Sequence, residues 1–584
     1  MVNGNNTASD SQSVEFAHKG IRLRKQKVEE AKTIEQDFEL SPVASRILAA
    51  RGYTSGTELK NYIRPTLKEG LPAPEELKNL NVACALIVET IKRDQSIAIC
   101  CDFDVDGLSG AAQLYHFLKT VEVPCQVYVP DRFKDGYGLN QEMIKKIAEE
   151  GHALVVTIDY GTTNIVELEL AHELGLKTIV VDHHHTGDVV PPADVFVNPH
   201  QKGCGFAGGI LCAAGLAWYL VVGLRKRLTK AKDIEAKSYL DLACLGTICD
   251  MVPLIGANRI IAKRGLEMLE RTNRKGLVAL KEVIGVRNYV RCSHVSFGIG
   301  PRINAAGRMV HGDVVIDLLS TSSSNTASKI AKKLNKLNIQ RQETEETVKQ
   351  AAILEVQKRG SLPCALVVGD ASFHTGVVGI VAQRLVEAFY RPSVVLGFEE
   401  GAYKGSVRGI KGFNVVEALT NTSQYLIKFG GHAGAGGCSI AEDQFEAFTE
   451  AFIKECERQL KGVELEPHAE ADTKAKIPDI NIELIKELKK FEPFGIGNPA
   501  PLLLINNLEV VELKVLKSAH LKTVLTDGKN YVTGLMWRQT SHPALEVGST
   551  VNIVCRPDSN VFNGRVEMQA VLQAVELSDQ DSSV

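Results

Sequence analysis

From residue 96 to about residue 185 the chain alternates between short apolar runs and longer amphipathic stretches. The apolar runs lack polar alternation, which is typical of strands buried on both faces, and helices between such strands are typical of parallel connections. The pattern therefore predicts an α/β fold with a doubly wound parallel sheet, extending to about residue 320. The predicted strands are S-I-A-I-C-C, C-Q-V-Y-V-P, A-L-V-V-T-I-D and K-T-I-V-V-D-H.

The remainder of the chain shows three further patterns. Residues 325 to about 359 contain no Gly or Pro and carry apolar residues at helical spacing, which predicts one long connecting helix. A glycine-rich α/β region follows, and the short β-like runs after it predict a small barrel, for which an OB-fold is the natural candidate. The expected domains are a flexible N-terminal tail (1–40), a catalytic domain (41–324), the connecting helix (325–360), a second α/β substrate-binding domain (361–462) and an OB-fold nucleic-acid-binding domain (463–584).

Composition narrows the class of protein only slightly. The 584 residues are 44% apolar and 23% charged, and a net charge of −3 gives no global sign of nucleic-acid binding. The polar start of the chain and the lack of a long apolar run predict a cytoplasmic protein without a membrane partner. The 13 cysteines include no C-x-x-C pair, which argues against a structural zinc site.

Acidic and histidine-rich segments follow several apolar runs. They are C-D-F-D-V-D-G from Cys101, T-I-D-Y-G from Thr157, V-D-H-H-H from Val181 and T-I-C-D-M-V-P from Thr247. Residues just past buried parallel strands converge at one edge of the sheet, where α/β folds bind ligands. Such a set could hold two divalent cations, as in a metal-dependent phosphoester hydrolase, and carboxylates beside imidazoles suit Mn²⁺ or Mg²⁺ better than Ca²⁺. The residues concerned are Asp102, Asp104, Asp106, Asp159, Asp182, His183, His184 and Asp250.

The D-x-D-x-D-G string also opens the calcium-binding loop of an EF-hand. That loop closes with a glutamate at its twelfth position, which here is Gln113. The residues before the string are strand-like, whereas an EF-hand loop follows a helix. We therefore exclude the calcium-loop interpretation.

These segments resemble the motifs of the DHH phosphoesterases, and later blocks are similar to those of the bacterial RecJ family of single-strand-specific exonucleases. The resemblance runs in order from about residue 40 to the end of the chain. G-P-R-I-N-A-A-G-R-M (300–309) resembles the block that closes the DHH domain. The blocks similar to the DHH-associated domain are F-H-T-G-V-V-G-I-V-A-Q-R-L, K-G-S-V-R-G-I-K-G and F-G-G-H-A-G-A-G-G, and those similar to the OB-fold region are E-P-F-G-I-G-N-P-A-P and N-V-F-N-G-R-V-E-M-Q.

The resemblance implies a role for each residue of the acidic segments. Asp159 would bridge two metals, His184 would face the substrate, and Asp182 would orient its neighbours, so these three form the catalytic set. The departures from the family pattern are Cys100-Cys101, Tyr160 after the aspartate, and a third histidine, His185; whether Asp102 or Cys100 contacts metal stays open. The implied metal ligands are Asp102, Asp104, Asp106, Asp159, His183 and Asp250.

Substrate-binding residues are implied in both lobes of the family. Glycine-rich strings there allow backbone N–H groups to approach an anion. In the barrel region Tyr531, Trp537 and Phe562 are candidates for base stacking, although core positions are the commoner use of such residues, and Arg565 is a groove candidate. The implied substrate-binding residues are Arg132, Tyr137, Arg302, Asn304, Arg308, His374, Ser406, Arg408 and His432.

The residues and the resemblance leave three candidate functions. The first is a Mn²⁺- or Mg²⁺-dependent exonuclease that degrades single-stranded DNA from the 5′ end in recombination and repair; polarity, DNA preference and pathway follow from the resemblance. The second is a DHH phosphodiesterase for short oligonucleotides or cyclic dinucleotides, which the predicted barrel disfavours. The third, a non-catalytic DNA-binding scaffold, is disfavoured because every carboxylate position is filled. The expected partners are single-stranded DNA, a single-strand-binding protein and a helicase, and we expect a monomer.

Overall fold

A computed structural model describes residues 20–131, 138–562 and 565–578. The chain divides into two compact units. Of the described residues, the first unit contains those within 26–340 and 482–501, and the second contains those within 20–25, 341–481 and 502–578.

Strands are numbered in chain order. They are β1 (Gly20–Leu23), β2 (Ile97–Cys101), β3 (Cys125–Tyr128), β4 (Leu154–Ile158), β5 (Lys177–Val181), β6 (Val195–Val197), β7 (Leu366–Asp370), β8 (Ser393–Glu399), β9 (Ala402–Arg408), β10 (Lys428–His432), β11 (Ala435–Ala441), β12 (His468–Ala471), β13 (Thr473–Lys474), β14 (Leu503–Leu516), β15 (His520–Thr526), β16 (Tyr531–Met536), β17 (Thr550–Phe562) and β18 (Arg565–Leu577).

Helices are numbered in the same way. They are α1 (Val28–Phe38), α2 (Pro42–Ala50), α3 (Thr57–Ile63), α4 (Leu67–Gly70), α5 (Leu80–Lys92), α6 (Val105–Thr120), α7 (Gln141–Glu149), α8 (Ile165–Glu173), α9 (Ala213–Arg225), α10 (Leu240–Cys249), α11 (Gly256–Glu270), α12 (Lys275–Val283), α13 (Cys292–His294), α14 (Gly300–Met309), α15 (Asp313–Ser320), α16 (Ser324–Lys358), α17 (Val378–Phe389), α18 (Val415–Asn421), α19 (Phe445–Gln459) and α20 (Ile482–Lys490).

The first unit is built on a five-stranded sheet in the order β3-β2-β4-β5-β6, and every neighbouring pair is parallel. Strands β2 and β4 are buried at every position, as expected for apolar runs covered on both faces. The strand order reverses between β2 and β4. That switch point opens a crevice at the carboxyl ends of the strands, where α/β folds place ligands. The predicted doubly wound parallel sheet is confirmed.

Helix α10 lies in the interior of the first unit and packs against α6, α9 and α11. Its sequence, L-D-L-A-C-L-G-T-I-C, is apolar around its circumference, because nearly all of the helix surface is covered by neighbours. The end of α10 therefore reaches the carboxyl edge of the sheet from within the core.

The second unit contains a mixed sheet in the order β10-β11-β9-β8-β7, with helices α17, α18 and α19 packed beside it. It also contains a closed five-stranded barrel: β14 pairs with both β15 and β17, β15 pairs with β16, and β18 joins β16 to β17. The predicted second α/β region and OB-fold are both confirmed.

Two segments differ from the domain boundaries that we expected. Gly20–Leu23 falls within the expected flexible tail, yet it pairs in parallel with β12. Ile482–Pro501 falls within the expected barrel domain, yet it belongs to the first unit. Among the residues that the structure describes, no helix combines the length and the apolar character needed to cross a membrane.

Candidate metal centre and substrate-binding residues

The first acidic turn leaves β2 at the switch point. Asp104 caps helix α6, since its Oδ1 accepts hydrogen bonds from the amides of Asp106 (2.8 Å) and Gly107 (3.1 Å). A Cβ at residue 107 would lie 2.7 Å from the backbone N and O of Asp102, so this position requires glycine. The D-x-D-x-D-G spacing therefore folds as a helix-capping turn that projects its carboxylates from one strand end.

Asp106 is fixed more firmly than its neighbours. Its two carboxylate oxygens accept hydrogen bonds from the amides of Ala213 (2.7 Å) and Ala214 (2.9 Å), at the start of α9, where the helix dipole favours a negative charge. A Cβ at Gly246, on α10, would lie 2.1 Å from Asp106 Oδ1. Sequence reasoning missed Gly246, although a glycine inside an otherwise apolar helix is a signal of close packing.

Asp159 follows β4, on the other side of the switch point. Its φ of 72° places it in the left-handed region, which aspartate tolerates better than most residues. Its amide donates to the carbonyl of Val181 (3.0 Å), which ties the turn to β5. Burial and the charges of Asp106 and Asp104 raise the pKa of Asp159 well above its usual range.

His183 lies between three carboxylates. Its Nε2 is 3.2 Å from Asp159 Oδ1, 3.6 Å from Asp250 Oδ2 and 3.8 Å from Asp106 Oδ2. Burial and the nearby charges of Asp106 and Asp104 also raise the pKa of Asp250 to about 9. Groups predicted from four separate sequence segments thus converge within a few ångströms.

Asp250 reaches the centre in an unexpected way. The sequence pattern predicts that its carboxylate follows a buried strand, and this prediction is wrong, because Asp250 ends helix α10, with its amide donating to Gly246 O (2.8 Å). A short apolar run that is buried on all sides can form either a helix or a strand, and its residue types do not distinguish the two. The edge of the sheet therefore receives one carboxylate from a helix C-terminus.

Asp182 and His184 form a pair beside the centre. Asp182 Oδ1 accepts from the amide of His183 (2.8 Å) and from Nδ1 of His184 (2.7 Å), while its Oδ2 accepts from the amide of Thr162 (3.0 Å). Burial alone would raise the pKa of Asp182, but the hydrogen bonds from His184 and Thr162 hold it well below its usual range. The His184 side chain is 48% exposed, and the bond to Asp182 raises its pKa against the opposing effect of burial.

Three groups of side chains have ligand atoms within 4.8 Å of one another, and Asp159 and His183 each belong to two of them. Buried carboxylates that raise one another's pKa are stabilised by a cation, and a donor set of carboxylate oxygens and imidazole nitrogens suits Mn²⁺ or Mg²⁺. The residues present therefore fit two such ions. The three groups are Asp102, Asp104 and Asp159; Asp106, His183 and Asp250; and Asp159, His183 and His184.

Cys100 belongs to none of the metal-binding groups found among the described residues. It is fully buried in β2 and packs in a core cluster with Ala98 and Tyr160. Burial raises the pKa of its thiol, which keeps it protonated. Asp102 is thus the better placed of the two residues to meet a metal.

The substrate-binding candidates of the first unit include two residues with structural contacts. Arg302 donates to Asn335 Oδ1 (3.0 Å) and to Gly298 O (2.8 Å). Asn304 Oδ1 accepts from the amide of Val105 (3.1 Å) and so supports the first acidic turn. Arg308 lies half-buried in the last turn of α14. Arg132 and Tyr137 lie outside the described residues.

Two candidates of the second unit, Ser406 and Arg408, lie at the start of α17. A Cβ at Gly379 would lie 3.0 Å from both Ser406 Oγ and Arg408 Nη2, so these two groups flank the first turn of that helix. Arg408 also donates from Nη1 to Val407 O (2.9 Å), and burial lowers its pKa. Cation, hydroxyl and helix N-terminus together are suited to bind an anion.

The two histidine candidates lie on other segments of the second unit. His374 Nδ1 accepts from the amide of Gly376 (3.0 Å), in the loop between β7 and α17. His432 is exposed on the edge strand β10, and its Nδ1 accepts from the amide of Gly434 (3.2 Å). Both rings are therefore oriented by a backbone amide two residues further along.

The aromatic residues of the barrel are more exposed than expected. Tyr531 is 66% exposed and Trp537 is 50% exposed, with the Trp537 ring centred 4.8 Å from that of His520. The interpretation of these two residues as core is therefore wrong, and both can meet a ligand. The side chains of Phe562 and Arg565 lie outside the described residues.

A doubly wound sheet whose switch point carries a D-x-D turn, a second aspartate and a D-H-H block defines the chain as a DHH-family phosphoesterase. Family models agree with that class. Residues 96–247 match the N-terminal domain of the DHH family, residues 362–458 match the DHHA1 domain and residues 471–574 match the RecJ OB domain.

Curated relatives and solved structures define the family more closely. The chain is 32% identical over 560 residues to the single-stranded-DNA-specific exonuclease RecJ of Bacillus subtilis, covering 94% of this chain and 70% of the relative. It is 30% identical over 578 residues to RecJ of Escherichia coli, covering 95% and 99%. The crystal structure of RecJ from Thermus thermophilus in complex with Mn²⁺ matches with a TM-score of 0.81 and 29% identity, over 96% of this chain and 80% of that one. The Mg²⁺ complex of the same protein matches with a TM-score of 0.75 and 26% identity, over 96% and 79%. The chain belongs to the RecJ family.

Proposed function

We propose that this protein is a metal-dependent exonuclease that hydrolyses single-stranded DNA from its 5′ end, in recombination and repair. The observation that supports this most directly is the convergence of His183 with the carboxylates of Asp106, Asp159 and Asp250 at the switch point. Its relatives from B. subtilis and E. coli are named single-stranded-DNA-specific exonucleases. The filled ligand positions disfavour a non-catalytic scaffold.

The residues that would hold the two ions are Asp102, Asp104, Asp106, Asp159, His183 and Asp250, and Asp159 belongs to two of the three groups described above. Two bound divalent ions would lower the pKa of a water molecule and neutralise charge on the phosphate. The chain itself holds the ligands in place: the amides of α9 fix Asp106, and the capping turn fixes Asp104. Little reorganisation is then required when substrate binds.

His184 and Asp182 have a different role in this proposal. Asp182 accepts from Nδ1 of His184, which orients the ring and favours its protonated form. We assign Nε2 of His184 to the substrate, where it donates to a phosphate oxygen or to the leaving oxygen. Asp182 thus acts through its neighbour, as carboxylates behind histidines often do.

The remaining proposed contacts are with the DNA. Arg408 and Ser406 would bind a phosphate near the 5′ end together with the first turn of α17, and Tyr531 and Trp537 would stack on bases. Arg132, Tyr137, Arg302, Asn304, Arg308, His374 and His432 stay candidates for the same substrate. Apart from residues 20–23 and 482–501, the expected domain boundaries also stay proposals. The same holds for a monomeric state, a cytoplasmic location, and work alongside a single-strand-binding protein and a helicase.

A comparison of substrates tests the proposal. A long single strand labelled at its 5′ end and a dinucleotide are incubated with the protein in Mn²⁺ and in EDTA. We expect mononucleotide release from the long strand in Mn²⁺ and none in EDTA; exclusive cleavage of the dinucleotide would favour the short-oligonucleotide phosphodiesterase. Retained cleavage by the variant with both Asp159→Ala and Asp250→Ala would overturn the assigned site.

The phosphate role of Arg408 has its own test. We expect Arg408→Ala to weaken binding of a 5′-phosphorylated strand by about 10-fold or more, because it removes a charge-assisted contact. Binding of Mn²⁺ should not change, since Arg408 is absent from the metal-binding groups found in the described part of the chain. An equal loss of metal affinity would refute this role, and a strand without the 5′ phosphate serves as the control.

A further inference from the structure

The segment 492–501, E-P-F-G-I-G-N-P-A-P, which we call the strap, lies in the chain between β13 and the barrel strand β14, which pair in parallel. Both strands belong to the second unit, but the strap and the preceding helix α20 belong to the first. The chain therefore passes into the first unit after β13 and returns to the second unit at β14. The contacts that this segment makes within the first unit indicate its role.

The strap contacts the loop 251–255, which follows Asp250. The amide of Leu254 donates to the carbonyl of Ile496 (2.7 Å). Two strap glycines allow this approach: a Cβ at Gly495 would lie 2.7 Å from Leu254 Cδ1, and a Cβ at Gly497 would lie 3.1 Å from Pro253 Cβ. The strap backbone thus packs directly on the loop.

The strap itself is rigidly held. Asn498 is buried, and its Nδ2 donates to the carbonyls of Phe491 (3.0 Å) and Pro493 (2.7 Å), while its Oδ1 accepts from Tyr62 Oη (2.9 Å). Buried Arg259 donates to Phe491 O (2.9 Å) and to Tyr62 O (3.0 Å). A turn closed by reciprocal backbone hydrogen bonds between Gly495 and Asn498 presents the Ile496 carbonyl to the loop.

On its other side the loop is held by helix α11. The side chain of Asn258, which is fully buried, donates to the carbonyl of Pro253 (3.1 Å). Leu254 is buried in the core of the first unit, whereas Met251, with a φ of 60°, is exposed. The loop that follows Asp250 therefore lies between α11 and the strap.

We propose that the strap is a positioning element of the metal centre, which sets the place of Asp250 through the loop 251–255. This inference rests on the proposed function, because it takes Asp250 as a metal ligand. Asp250 is the ligand that comes from a helix end rather than a strand end. The strap supports Asp250 from outside helix α10. In the same way, the hydrogen bond to Val181 in the sheet supports Asp159.

Gly497→Ala tests the proposal, with Gly285→Ala as its matched control. Both glycines belong to the first unit and have a φ of 73°, so an alanine meets the same backbone strain at each position. A Cβ at Gly285 has nothing within 4 Å, whereas a Cβ at Gly497 presses on Pro253 and Ile255. The difference between the two variants therefore reports pressure on the loop.

Binding of Mn²⁺ to the full-length, EDTA-treated protein is measured by titration calorimetry. We expect Gly497→Ala to weaken one Mn²⁺ by about 10-fold, as changes behind metal ligands do, and Gly285→Ala to bind as the wild type does. Exonuclease kcat of Gly497→Ala should fall at limiting Mn²⁺ and recover at high Mn²⁺, with KM for DNA unchanged. Equal Mn²⁺ binding by both variants would overturn the proposal.

Asp250→Ala separates this proposal from the one on which it rests. If Asp250→Ala loses one Mn²⁺ but Gly497→Ala does not, the strap proposal fails alone; if Asp250→Ala binds Mn²⁺ normally, both fail. Should Gly497→Ala not fold, hydrogen exchange of the wild-type protein decides. Mn²⁺ should slow exchange at Leu254 and across the strap but not at Gly285, and an unchanged strap would refute the coupling.

Discussion

The turns after β4 and β5 place one aspartate each at the same edge of the sheet, on neighbouring strands. Asp159 and Asp182 are both buried, at 3% and 1% exposure. Nevertheless, their carboxyl groups respond in opposite ways. The pKa of Asp159 is raised well above its usual range, and that of Asp182 is held well below it.

Hydrogen-bond donors account for the difference. Asp182 accepts from the amides of Thr162, His183 and His184 and from the His184 ring, so its negative charge is satisfied by the protein. Asp159 lies instead among other carboxylates, whose charges add to the effect of burial. Position at the sheet edge therefore does not decide the role of a carboxylate. The surrounding charges and hydrogen bonds do together, and the carboxylate among other carboxylates is the one that requires a cation.

The largest expected effect is that of Asp159→Asn. The change keeps the shape of the side chain but removes the charge that two ions would share. We expect kcat for single-stranded DNA in Mn²⁺ to fall by about 10³-fold or more. Asp233→Asn, at an exposed position of the same unit, is the control and should leave kcat unchanged. Near wild-type activity of Asp159→Asn would show that the difference in pKa between Asp159 and Asp182 does not reflect a catalytic role of Asp159.

Asp182→Asn should have a smaller effect on activity. The proposed ligands stay in place, but the amide has one acceptor oxygen and no negative charge, so the protonated form of the His184 ring is no longer favoured. Changes of this kind reduce activity by about 10–100-fold. Steady-state kinetics in saturating Mn²⁺ measure the effect, and Asp182→Glu should restore part of it. A loss as large as that of Asp159→Asn would indicate that both aspartates bind metal.

Much of the centre follows from the sequence because β2, β4 and β5 are short apolar runs that end in acidic residues. The edge of a parallel sheet then brings Asp104, Asp106, Asp159 and His183 together. Asp250 is different, since L-D-L-A-C-L-G-T-I-C is apolar except for Asp241 and Thr247, and its period does not separate helix from strand. Its presence in the centre follows from the motif, and its helical origin only from the structure.

Long-range packing is the part that the local pattern does not contain. The motif of the strap resembles the OB-fold region, and nothing in its own ten residues encodes the loop in the first unit on which it packs. The motif around Asn304 implies a contact with substrate, whereas its Oδ1 accepts a hydrogen bond from the amide of Val105, 199 positions away in the chain. Likewise, Gly246 matters because a distant carboxylate, that of Asp106, lies against it.

Without metal, substitutions in the two turns should change the free energy of unfolding in opposite directions. In EDTA, Asp182→Asn should lower the free energy of unfolding by about 1–3 kcal/mol, because it weakens a hydrogen-bonded, buried charge. Asp159→Asn should raise that free energy by about 1 kcal/mol, because it removes a repelling charge from a cluster of carboxylates. Urea unfolding of both variants and the wild type measures the shifts, and shifts of the same sign would contradict the comparison.

Addition of Mn²⁺ should raise the stability of the wild type above that of Asp159→Asn. Wild type and Asp182→Asn bind the ion in the folded state and gain about 2.7 kcal/mol at a concentration of 100 Kd, whereas Asp159→Asn should gain much less. The same urea experiment, repeated in Mn²⁺ and in Ca²⁺, measures the gain. An equal gain in all three proteins would place the ion away from Asp159.

The smallest expected effect is that of Cys100→Ala, which asks how far the cation-requiring region around Asp159 extends. Cys100 lies on β2 opposite Thr157 of β4, and burial raises the pKa of its thiol, which disfavours the thiolate that metals bind. We expect Mn²⁺ affinity to stay within about 2-fold of the wild type, with only a small loss of stability from the smaller side chain. A loss of about 10-fold in Mn²⁺ affinity would indicate that the thiol ionises and binds the metal. The metal site would then include a residue of β2 as well as the turns that follow the strands. Cys101→Ala, whose side chain packs in the main core of the same unit, is the matched control for the loss of volume.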